Sequence, residues 1–168
     1  MEPGLGTLIK IIDLSLAILH DTQVRMDLYT TEFLSFASAD KISHLLSETK
    51  EDNKNDSVEH SFDRIGLRHL YHKLALLLHP DKGGSKEEMA EVTKKYIKSD
   101  LIGLIVIARR LNVNLSSIKP RDFPLIQHNL SEITNLIKTL RTSHIWQYSK
   151  KLPKDRETYA KSFWSKQN

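Results

Sequence analysis

Apolar residues recur along this chain at helical spacing almost from end to end. Leu5, Ile9, Ile12, Leu16 and Leu19 follow a 4-3-4-3 rhythm, which sets them on one stripe of a helix. Ile126, Leu130, Ile133, Ile137 and Leu140 repeat that rhythm near the other end. The two stripes either face one another or each pack on the middle of the chain. Over residues 30–48 a weaker helical pattern uses Phe33, Phe36, Ile42, Leu45 and Leu46, and Ser38-Ala39-Asp40 offers a break and a new N-cap. Residues 49–59 hold one apolar side chain, Val58, among acids and asparagines, and read as an exposed linker.

Beyond the linker the pattern predicts a helix over about 63–78, with Ile65, Leu70, Leu74, Leu77 and Leu78 as its buried set. It stops there because Pro80 disfavours a helical backbone at His79 and Gly83-Gly84 follow at once. Ser85 and Glu88, three apart, form a capping box that opens the next helix, whose apolar face is Met89, Val92 and Tyr96. Ser99-Asp100 interrupts the pattern. Residues 101–111 then resume it with a very apolar surface, expected to be core, with a client groove as the alternative. Residues 112–124 read as a loop, followed by a long helix to about Tyr148. Pro153 ends it, and a short segment with Tyr159, Phe163 and Trp164 follows. The fold class is all-α. The expected organisation is N-terminal helices over 1–48, an acidic linker over 49–60, a helical hairpin over 61–98, a helical extension over 99–152 and an aromatic, basic segment over 153–168.

Composition narrows the picture. The 168 residues carry 25 Lys+Arg against 21 Asp+Glu, a net +4, well short of a dedicated nucleic-acid arm. With 39% hydrophobic and 27% charged residues the chain fills a core and stays soluble. The absence of Cys excludes disulfides and thiolate zinc sites. Residues 5–19 carry Lys10 and Asp13 and lack the marks of a signal peptide, and residues 101–108 are far shorter than the ~20 apolar residues of a membrane span. No membrane partner and a cytoplasmic location are expected.

Residues 71–84, YHKLALLLHPDKGG, carry the chemistry. Pro80 fixes φ and removes a donor, so His79 and Asp81 stand on either side of a stiff turn, and the glycines let the chain reverse. This stretch resembles the J domain, the module with which DnaJ-type co-chaperones engage a DnaK-type heat-shock ATPase. Tyr71, Lys73, Leu74, Ala75, Leu76, His79, Pro80, Asp81 and Lys82 fit the family's second helix and loop, and Met89, Val92 and Tyr96 fit its third helix. The resemblance covers residues 65–97, about a fifth of the chain. It implies a J-domain-like antiparallel hairpin set among further N- and C-terminal helices. It also implies a co-chaperone without catalysis of its own, which accelerates ATP hydrolysis by a DnaK-type partner. On that resemblance Asp81 pairs with an arginine of the partner, His79 supports the loop, Pro80 holds its geometry, and Arg68, Tyr71, Lys73 and Lys82 complete the docking surface. The chain departs from the family where His69, His72 and Leu77 occupy positions that are often basic. The usual first helix has no counterpart before the linker, and residues 30–48 are the candidate for its place.

The blander readings are an ordinary proline turn at His79-Pro80-Asp81 and solvated lysines around core aromatics at the C-terminus. A metal set from His69, His72 and His79 fails because the third lies too far along the axis. An acid–base pair of His79 and Asp81 lacks a nucleophile, and the glycines after Lys82 do not make a phosphate loop. No cofactor is expected. Residues 141–168 interleave seven Lys/Arg with aromatics, a pattern that also suits single-stranded nucleic acid, although core anchoring is the expected role. Two alternatives to the co-chaperone stand: an interaction protein that keeps the scaffold without ATPase stimulation, and a basic helical nucleic-acid-binding protein with a J module. The flanking helices are the expected site for a client protein.

Overall fold

The computed structural model describes residues 4–39, 41–42 and 62–167. Seven α-helices lie among the described residues, with no strand: α1 (Leu5–Leu34), α2 (Ile65–Leu78), α3 (Lys86–Ile97), α4 (Leu101–Arg110), α5 (Phe123–Thr142), α6 (His144–Lys150) and α7 (Pro153–Ser165). Short 3-10 turns occupy Pro80–Lys82 and Pro120–Asp122. The all-α expectation holds. Among the described residues no helix is long and apolar enough to cross a membrane. The linker expected over 49–60 lies outside the described residues, as do Leu45 and Leu46.

Contacts divide the chain into two compact units, each assembled from pieces distant in sequence. The first comprises described residues 4–15 and 62–133. Its centre is α4, of which Leu101, Ile102, Leu104, Ile105, Ile107 and Ala108 are buried. Helices α2 and α3 pack on each other and both pack on α4. A helix apolar on nearly all sides is stable only when neighbours cover it, and α4 has them. The buried stripe of α2 is Leu67, Leu70, Leu74 and Leu78. Ile65 and Leu77, expected in the core, are instead 42% and 54% exposed. The 3-4-4 stripe starting at Leu67 fixes the helical phase and turns those two outward.

The second unit comprises described residues 16–39, 41–42 and 134–167. Phe33 of α1 is its hub, with ring centroids of Tyr148, Phe163 and Trp164 each 5.3 Å away. The Trp164 indole N–H donates to the Phe33 carbonyl at 3.0 Å, so α7 caps the free end of α1 while filling its core. Of the aromatics in the C-terminal segment, Trp164 is buried and Tyr159 and Phe163 are half-buried. The long helix expected to reach Tyr148 ends earlier, at Thr142. Ser143 breaks it: its hydroxyl accepts from the Trp146 N–H at 3.3 Å and starts α6. Pro153 does not merely end a helix but opens α7 in its first turn, where its missing N–H costs nothing.

Candidate functional site

The turn between α2 and α3 is built from the end of α2. The His79 N–H still bonds to the Ala75 carbonyl at 3.0 Å, but its ψ of 133° is extended, as the following proline demands. The His79 carbonyl then accepts from the Lys82 N–H at 2.8 Å and the Gly84 N–H at 3.2 Å. Gly83 takes φ +88, and a Cβ on Gly84 would overlap the Leu78 carbonyl. Ser85 accepts from the Glu88 N–H at 3.0 Å and starts α3. The reciprocal bond of a full capping box, from Glu88 back to Ser85, is not formed, so the expected box is a single cap.

At the apex the His79 Nδ1 accepts from the Asp81 N–H at 3.2 Å and lies 3.5 Å from the Asp81 carboxylate. One nitrogen serves only one of these at a time. A neutral ring accepts from the backbone and leaves the carboxylate uncommitted. Asp81 is 88% and His79 52% exposed, and Pro80 and Lys82 are exposed with them. The tripeptide is thus stiffened by its own backbone bonds and presents a carboxylate to solvent.

Behind the apex the two helices pair in a definite register. Gly84 meets Leu78, Tyr71 stacks on Tyr96 with centroids 4.3 Å apart, and the Arg64 guanidinium donates to the Tyr96 carbonyl at 3.2 Å. Tyr71, expected on the docking surface, is half-buried in this seam, with its hydroxyl 3.4 Å from that of Thr93. Arg68 is exposed and Lys73 half-buried, and neither they nor Lys82 forms an ion pair among the described residues. The outer face of α2 also carries exposed His69, His72 and Leu76, the last 61% exposed. Among the described residues no group of three His, Asp or Glu side chains converges on a metal position.

Two buried polar side chains fasten the start of α2 and the start of α4, and the sequence reading missed both. Asp122, fully buried, accepts from the Gly66 N–H at 3.0 Å and from the Lys119 N–H at 2.8 Å. It satisfies an orphan donor in the first turn of α2 and complements the positive end of that helix. Asn129 accepts from the Leu101 N–H at 2.9 Å and donates to the Ser99 carbonyl at 3.2 Å, fastening the start of α4. The signal for Asn129 was its place among Leu125, Ile126 and Ile133, a polar residue on an apolar face. The residues 30–48, the candidate for the place of the first helix, lie, where described, in the second unit; α4 packs on both α2 and α3. No protein-family model, curated protein or solved structure matches this chain.

Proposed function

We propose that this chain is a J-domain-type co-chaperone, docking its 79–82 turn and the outer face of α2 on a DnaK-type ATPase and accelerating ATP hydrolysis there. The observation that carries the reading is the exposed Asp81 carboxylate at the apex of two paired helices, with His79 and Pro80 fixing its backbone. A carboxylate 88% exposed, with only the His79 ring 3.5 Å away, is suited to a bidentate, charge-assisted pair with an arginine of the partner, an interaction that Asn cannot reproduce. Arg68 and Lys73, further back along α2, would steer encounter with an acidic surface. Support from α4 gives the apex a rigid base, so little order remains to be imposed on binding.

The test is single-turnover ATP hydrolysis by a DnaK-type chaperone with the full chain and with Asp81→Asn. Acceleration by the wild type and its loss in the variant is the expected result. Equal rates with wild type, variant and no addition overturn the reading. The exposed His69, His72, Leu76 and Leu77 favour one second reading, an interaction protein that keeps the scaffold without stimulating hydrolysis. Binding to the chaperone without acceleration would select it.

A further inference from the structure

The second unit contains a cavity that this function does not use. It measures about 530 Å³ and is lined by Thr22, Val24, Arg25 and Leu28 from α1 and by Arg141 and Trp146 opposite. Its cations are held in place. Arg25 donates to the Ser149 hydroxyl at 3.0 Å and carbonyl at 2.9 Å, and Arg141 donates to the hydroxyl of fully buried Thr22 at 3.2 Å. The Arg141 and Arg25 guanidinium carbons lie 4.8 and 5.5 Å from the Trp146 ring centre, and the Lys150 ammonium 5.8 Å from it. None of these three forms an ion pair among the described residues, although Asp21 also lines the cavity. Three positive groups are thus gathered around one indole with guanidinium N–H donors to spare.

Apolar surface adjoins this charge. Val24 and Leu28, four apart on α1, are 43% and 72% exposed at the cavity. We propose that the cavity docks an acidic, amphipathic segment of a partner protein, its carboxylates on Arg25 and Arg141 and its apolar side chains on Val24 and Leu28. Preset guanidiniums lose little freedom on binding, and a bidentate match to carboxylate gives direction as well as energy. Single-stranded nucleic acid fits less well. Trp146 is only 8% exposed, its surroundings taken by cations, so it offers no open face for a base. This site does not depend on the reading of the 79–82 turn.

Fluorescence anisotropy of the full chain tests it, using a labelled peptide with Glu and Leu at helical spacing, its Glu→Gln counterpart, and a single-stranded oligothymidylate. The Glu peptide is expected to bind, to weaken with salt, and to lose about tenfold or more on Glu→Gln, on Arg141→Glu and on Leu28→Asp. Leu28→Asp changes a well-exposed side chain, so its thermal unfolding should match the wild type and separate lost docking from lost folding. Equal binding of the Glu and Gln peptides, no binding at millimolar concentration, or indifference to both substitutions overturns the proposal. Preference for the oligothymidylate overturns it too, and assigns the cavity to nucleic acid.

Discussion

Gly83 and Gly84 stand side by side in the turn for unrelated reasons. Gly83 has open space around it but a φ of +88, a conformation that costs an L-residue about 1–2 kcal/mol. Gly84 has no such constraint on φ, yet a Cβ there would overlap the backbone of Leu78, which cannot rotate away as a side chain would. Forcing atoms into filled space costs roughly 1–3 kcal/mol, and more where backbone must move. Gly84→Ala should therefore lower the urea midpoint more than Gly83→Ala does. The reverse order would mean that the turn relaxes around Gly84 and that the close approach is not needed. The pair was legible in the sequence as a chain reversal. The distinction between them was not, because it depends on where the end of α2 lies in space.

Among elements, the helices themselves were legible and their fastenings were not. Periodicity marks α2 and α4, but two adjacent leucines leave the phase ambiguous, and the spacing from Leu67 to Leu78 resolves it only once α4 covers that stripe. The end of α5 was misjudged because a serine in an apolar rhythm weighs little until its hydroxyl is seen to accept from the Trp146 N–H. Asn129 gives the clearest expectation at this scale. Asn129→Ala removes the acceptor for the Leu101 N–H and leaves buried groups unpaired, which costs roughly 1–3 kcal/mol. Hydrogen exchange at Leu101 should quicken, measured by NMR, together with a lower melting temperature. Unchanged exchange there would show that α4 begins securely without Asn129.

At the scale of the whole molecule, the position of the candidate turn was legible and the division into two units was not. A motif of consecutive residues is written in order, whereas each unit joins segments more than forty residues apart in the chain. Alkaline titration should report on the second unit. The Tyr148 hydroxyl is pushed up to about 12, first by burial and then by its bond to Glu32. An unfolded tyrosine ionises near pH ~10, so the folded state holds this proton more tightly. The stabilisation is complete below about pH 10 and is lost as pH rises through about 12. Tyr148→Phe should flatten the alkaline unfolding curve across that window, followed by circular dichroism. A curve parallel to the wild type would assign the alkaline loss to other groups.

The position of α4 also bears on synthesis. A ribosome completes the His79-Pro80-Asp81 turn before it reaches the residues that bury Leu67, Leu70 and Leu74 beneath it, and Asn129 emerges later still. A nascent chain halted near Ser99 therefore holds the whole 79–82 turn with α2 and α3 but without α4, which packs on both. Under the proposed function, an unfinished product would lack the helix that packs on both arms of the docking turn until α4 is complete.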